Sequence, residues 1–133
     1  MKELIQTTRY NCWETALKCV LNDPPDFPCQ NVHLTLEEAE KDWSDYHCRV
    51  MNWLNARNIR LVIFTKLNEA YLLKGLHLIS GKSPRGVLHT VVGRAGEIIH
   101  DPWYGDDKGF VDPSSEWEFE IFMLKDAGLL FPG

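Results

Sequence analysis

A cysteine near the start of a helix, a histidine in a β-branched strand and an acid on that strand's hairpin partner can together make an activated nucleophile. This chain carries all three types. Cys12 follows Asn11 at the head of a segment whose apolar residues fall at Trp13, Ala16, Leu17, Val20 and Leu21, the three-four spacing of a helix with one buried face. Unpartnered backbone N–H groups and the positive end of the helix dipole favour a thiolate at such a position. By itself a free cysteine is more often a small buried hydrophobe, so the case for chemistry rests on its partners.

His89 lies in Val87-Leu88-His89-Thr90-Val91-Val92, a β-branched run that turns through Arg94-Ala95-Gly96 into a second short strand. A three-residue loop ending in glycine is read as a type I turn followed by a left-handed residue, which pairs Gly93 with Glu97. Counting back four residues on each strand sets His89 directly opposite Asp101, where Cβ atoms of a pair lie about 4.5 to 5.5 Å apart. A carboxylate there would fix the ring tautomer and stabilise an imidazolium. A shift of one residue in this register would move Asp101 to the other face and leave His100 as the fallback. Gln6, in the polar lead-in to the first helix, gains a role only in combination: with the backbone N–H of Cys12 its amide could stabilise an oxyanion.

The elements that must position these groups run helices first and sheet second. Residues 11–21 form the first helix, opened by a capping box of Asn11 with Glu14 and stopped by Asn22-Asp23-Pro24-Pro25. A second capping box, Thr35 with Glu38, starts a short helix ending near Trp43, and a third helix places Tyr46, Val50, Trp53 and Leu54 on one face. Ile59 to Thr65 then reads as a buried strand, a short helix spans residues 68–74, and His77 to Ser80 form another strand. The hairpin of residues 86–93 and 97–101 follows, and a last strand points Trp117, Phe119, Ile121 and Met123 to one side. The predicted class is α+β, with N-terminal helices packed on a C-terminal antiparallel sheet.

With 133 residues, 44% hydrophobic and 25% charged, the chain reads as a single globular domain spanning residues 1–133. Fourteen Lys+Arg against 19 Asp+Glu give a formal charge of −5, the wrong sign for wrapping a phosphate backbone, so no nucleic-acid partner is expected. The start lacks the apolar run of a signal peptide and no stretch approaches a membrane span, which predicts a cytoplasmic protein with no membrane partner. In that compartment the four cysteines stay reduced, and Cys19, Cys29 and Cys48 are read as structural. Cys29, His33, His47 and Cys48 fit no familiar zinc spacing, and no metal site is predicted.

Together, Gln6, five residues, Cys12-Trp13 at a helix head, then His89-Thr90-Val91-Val92-Gly93 and Asp101-Pro102-Trp103 on a hairpin resemble the papain superfamily of cysteine peptidases. The closer likeness is to its compact bacterial and phage branch, related to the peptidases that remove double-glycine leaders from bacteriocins. This resemblance implies a papain-like fold with Cys12 as nucleophile, His89 as general base and then acid, Asp101 as orienter and Gln6 as oxyanion donor. It further implies a peptide or protein substrate and no cofactor. Trp13 and Trp103, with Tyr104, are candidates for lining the substrate pocket. The same residues would serve deamidation, transglutamination or amidase action, and a catalytically silent papain-like module that binds a partner protein is the reading from another class.

Overall fold

A computed structural model describes residues 1–132 as two helices and an antiparallel sheet of six strands. The sequence order is α1 (Cys12–Val20), α2 (Leu36–Ala56), β1 (Ile59–Thr65), β2 (His77–Lys82), β3 (Leu88–Arg94), β4 (Glu97–His100), β5 (Glu118–Leu124) and β6 (Gly128–Leu129). Across the sheet the order is β1-β5-β2-β3-β4, with β6 paired to the end of β5. The α+β arrangement is therefore as expected. Among the described residues no helix is long and apolar enough to cross a membrane.

The two helices expected over residues 36–54 are one helix of 21 residues. No glycine or proline interrupts it, and Tyr46, Val50 and Leu54 extend a buried stripe begun at Ala39. Its cap is half as expected: Thr35 accepts from the Glu38 N–H, but the Glu38 carboxylate reaches past it to the N–H of Leu34. The expected short helix around residues 68–74 is a 3-10 turn over Ala70–Leu72.

Both faces of the central strands are covered. Leu78, Val92 and Phe122 pack with Leu17, Val20, Tyr46 and Leu54 under the helices. Ile79, Val91 and Phe119 pack on the opposite face with Leu67, Leu73, Phe110 and Trp117 from the loops. The one-sided alternation expected of the last strand therefore does not hold, and Glu120 is buried on the helix side with Phe122. Burial on two faces removes the period-two signal.

The β3–β4 hairpin departs from its expected register twice. Its turn has two residues, not three: Ala95 (φ 54) and Gly96 (φ 77) are both left-handed, and Arg94 pairs with Glu97. The cost of a left-handed alanine is met by neighbours, since the Ala95 N–H donates to the Leu73 carbonyl and the Gly96 N–H to Nε2 of His77. Carried unbroken down the ladder, that turn would set Asp101 beside Thr90, on the face away from His89. A bulge intervenes. Gly93 pairs with Ile98 but Val92 pairs with His100, so β4 carries one extra residue and Asp101 returns to the face of Val91 and His89.

Gly93 sits at this bulge, where a Cβ would lie 2.5 Å from Cδ1 of Ile79 and 2.6 Å from Cε1 of His77. Gly93→Ala should lower stability by about 1–3 kcal/mol, as overpacking of a filled core does, read as a fall in the denaturant midpoint at unchanged slope.

Candidate active site

Cys12 is the first residue of α1, and α1 packs against β3. The expected Asn11–Glu14 capping box does not form. The Asn11 side chain turns back to the lead-in, its Oδ1 accepting from the Thr8 N–H at 3.2 Å and its Nδ2 donating to Thr7 Oγ1 at 3.1 Å. Glu14 instead accepts from the N–H of Gln30 and ties the 24–31 loop to the helix. The side chains that could have capped the first turn are thus engaged elsewhere, and the helix that begins at Cys12 has no side-chain N-cap.

His89 is 1% exposed, and its Nε2 lies 2.7 Å from Asp101 Oδ1. Facing a carboxylate, Nε2 carries the proton, and Nδ1 is the nitrogen left for the sulfur of Cys12. Burial pulls the ring toward its neutral form, but the Asp101 carboxylate and the adjacent Cys12 outweigh it and raise the His89 pKa to about 8. Burial also opposes ionisation of Asp101, yet the His89 ring and the N–H groups of Gly109 and Trp103 hold that carboxyl at about 2. The two backbone donors bind at 2.7 Å to Oδ2 and 2.9 Å to Oδ1, so Asp101 organises its own loop while it orients the imidazole. The ring is closed on another side by Phe110, edge-on at 6.2 Å between centroids. Gly81, paired across the sheet with His89, lets that loop approach: a Cβ there would lie 3.0 Å from both Phe110 and Trp117.

Cys12 and His89 open on a cleft of about 530 Å³ whose lining also includes Trp13, Trp43, Arg85 and Glu120. Trp13 stacks on His47 and meets Trp43 edge-on. Trp103 does not line the cleft. Its indole is buried, donates to Asp107 Oδ1 at 2.7 Å and carries the Arg85 guanidinium 3.7 Å above its ring, so it supports a wall of the cleft through Arg85. Tyr104 is exposed, its ring 4.3 Å from that indole between centroids.

Gln6 is buried next to this loop, its backbone N–H donating to the Pro102 carbonyl at 2.7 Å. Its Nε2 donates to the carbonyls of Thr8 and Arg9, at 3.1 and 3.5 Å, and its Oε1 is buried without a partner. The amide therefore shapes the turn before Cys12 and does not line the cleft. His100, the fallback histidine, faces the Leu4 carbonyl at 2.6 Å and takes no part in the site.

The remaining cysteines and histidines are dispersed. Cys19 is in the core, its sulfur accepting from the Leu4 N–H, and burial raises its pKa. Cys29 and Cys48 are exposed, His33 pairs with Asp42, and among the described residues no three His, Cys, Asp or Glu side chains are grouped to hold a metal ion. Of the lining groups, Glu120 and Arg85 were not singled out by sequence. Comparison with known families, curated proteins and solved structures finds no match to this chain.

Proposed function

We propose that this protein is a thiol hydrolase, most simply a cysteine peptidase, acting on a peptide or protein amide through an acyl-enzyme on Cys12. One observation carries the reading: a helix-start cysteine and a histidine held by a buried carboxylate at 2.7 Å open together on one cleft. In this scheme the Cys12 thiol first gives its proton to Nδ1 of His89, and the resulting thiolate, paired with the imidazolium, attacks the amide carbonyl carbon. The oxyanion is received by the backbone N–H of Cys12 and by Gln6, whose amide turns from the Thr8 and Arg9 carbonyls to reach it. Collapse breaks the C–N bond, and the imidazolium gives its proton to the leaving amine. Water, deprotonated by the same ring, then adds to the thioester, and the acid leaves as the sulfur departs.

The direct test is to mix the protein with p-nitrophenyl acetate and follow the burst of nitrophenol, with mass spectrometry locating the acetyl group. A stoichiometric burst that places acetyl on Cys12 is the expected outcome, and an unmodified Cys12 overturns the proposal. Loss of an oxyanion donor costs roughly 10²–10³ in kcat, so Gln6→Ala should slow acylation by that factor with KM little changed. If Gln6 only shapes the turn, the loss should appear in KM and stability.

A further inference from the structure

The cleft has a chemically distinct end. On the helix side of the sheet, Thr90 of β3 pairs with Ser80 of β2, which pairs with Glu118 of β5; one row further in, Val92, Leu78 and Glu120 align in the same way. Thr90, Ser80, Glu118 and Glu120 line the cleft as its floor, beginning next to His89 and ending under Trp13. Glu120 is only 9% exposed; one of its oxygens accepts from Trp13 Nε1 at 3.1 Å, and the other has no partner among the described residues. Glu40 from α2 lines the same cleft, and Trp43 and His47 stack around Trp13 to form an aromatic wall.

The cations lining the cleft do not balance these acids. Arg85 is committed to the Trp103 ring and the Asp107 carbonyl, and Arg9 also lies in the field of Asp107. Three carboxylates beside an aromatic wall, one nearly buried with an open acceptor, call for a positive ligand group, because a buried carboxylate is costly until a donor or cation reaches it. Neighbouring strands lie about 4.8 Å apart, so β5 is about 10 Å from β3, a span that favours a long side chain on a backbone bound beside Cys12 and His89.

We infer that the Glu120 end of the cleft is a specificity subsite for the ammonium or guanidinium group of a lysine or arginine in the substrate. The inference rests on the cysteine peptidase reading for its place in a reaction, but the binding it describes is measurable apart from it. Peptidyl acyloxymethyl ketones directed at Cys12 form the test, each carrying lysine or its uncharged counterpart norleucine at one of the three positions before the ketone. At one position the lysine probe should label at least about tenfold faster, the factor one charge-assisted hydrogen bond supplies. Glu120→Gln, whose amide oxygen can still accept from Trp13, should bring that ratio toward one, and Glu118→Gln should reduce it in part. A ratio near one at every position in the wild type, or a ratio that survives Glu120→Gln, overturns the subsite. If no probe labels Cys12, the peptidase reading falls instead, and the subsite is judged by calorimetry with N-acetyl-lysine methylamide against the norleucine analogue. Binding of the lysine compound alone, lost in Glu120→Gln, supports it; equal binding of the two overturns it.

Discussion

Alanine at position 89 is expected to slow acylation of Cys12 by roughly 10²–10⁴ at pH 7, the share that general acid–base catalysis contributes. The substitution removes the base whose Nδ1 is left for the Cys12 sulfur, and it strands the Asp101 carboxylate that had been paired with the ring. The pH profile separates this role from simple packing. The positive charge of the His89 ring lies beside the Cys12 sulfur and is withdrawn as pH rises through about 8. The rate of Cys12 alkylation by iodoacetamide, followed by mass spectrometry from pH 5 to 10, should therefore show an inflection near 8 that is missing in His89→Ala. Wild-type rates and an unchanged profile in the variant would mean that the pair does not act together, whatever its distance.

How the hairpin reaches this arrangement shows where sequence reasoning succeeds and where it stops. The Cys12 helix, the existence of a strand over Ile59–Thr65 and that of the β3–β4 hairpin follow from apolar spacing and β-branched runs, although Ile59–Thr65 is a half-exposed edge strand and not the buried one expected. Register does not, because the choice between a two-residue and a three-residue turn here depends on tertiary acceptors: the Leu73 carbonyl and His77 Nε2 accept from the turn's N–H groups and hold Ala95 left-handed. The expectation that His89 and Asp101 share a face came from the wrong turn and no bulge, two errors of one residue whose effects on parity cancel. Direct opposition is not what joins them; Asp101 lies just beyond β4, level with Val91, and meets His89 diagonally. Glu120 was illegible for a different reason. A glutamate alternating with Phe119 and Ile121 reads as solvent-facing, and only the helices packed over the second face bury it. The break expected near Trp43 does not occur, because no glycine or proline between Leu36 and Ala56 forces the chain out of helix.

Asp101→Asn should cost activity and stability together, and its geometry says why the near-isosteric amide cannot substitute. Oδ1 accepts from both His89 and the Trp103 N–H, and Oδ2 accepts from the Gly109 N–H, so every contact the carboxylate makes is as an acceptor. An asparagine must aim its NH₂ group at one of these donors. Directed at Gly109 it breaks the loop that closes Phe110 over the imidazole; directed at His89 it forces the proton from Nε2 to Nδ1, the tautomer that cannot take a proton from Cys12. Turnover should fall by about 10²–10⁴ with either choice, as when a triad carboxylate elsewhere is made an amide. The stability effect has a defined window. Asp101, held at about 2, stabilises the fold above the ordinary carboxylate pKa near 4 and loses that contribution as pH falls through 2; His89, raised to about 8, contributes below its unfolded value near 6.5 and loses it as pH climbs through 8. The pair is therefore at full strength between about pH 4 and 6.5, where it adds about 2 kcal/mol, counted once for both partners. Thermal unfolding across pH 2 to 9 should show the wild type most stable relative to Asp101→Asn inside that window, with the gap narrowing on both sides. A gap that stays constant across the whole range would show that Asp101 supports the fold through its loop alone and that the charge on His89 contributes nothing to holding the site.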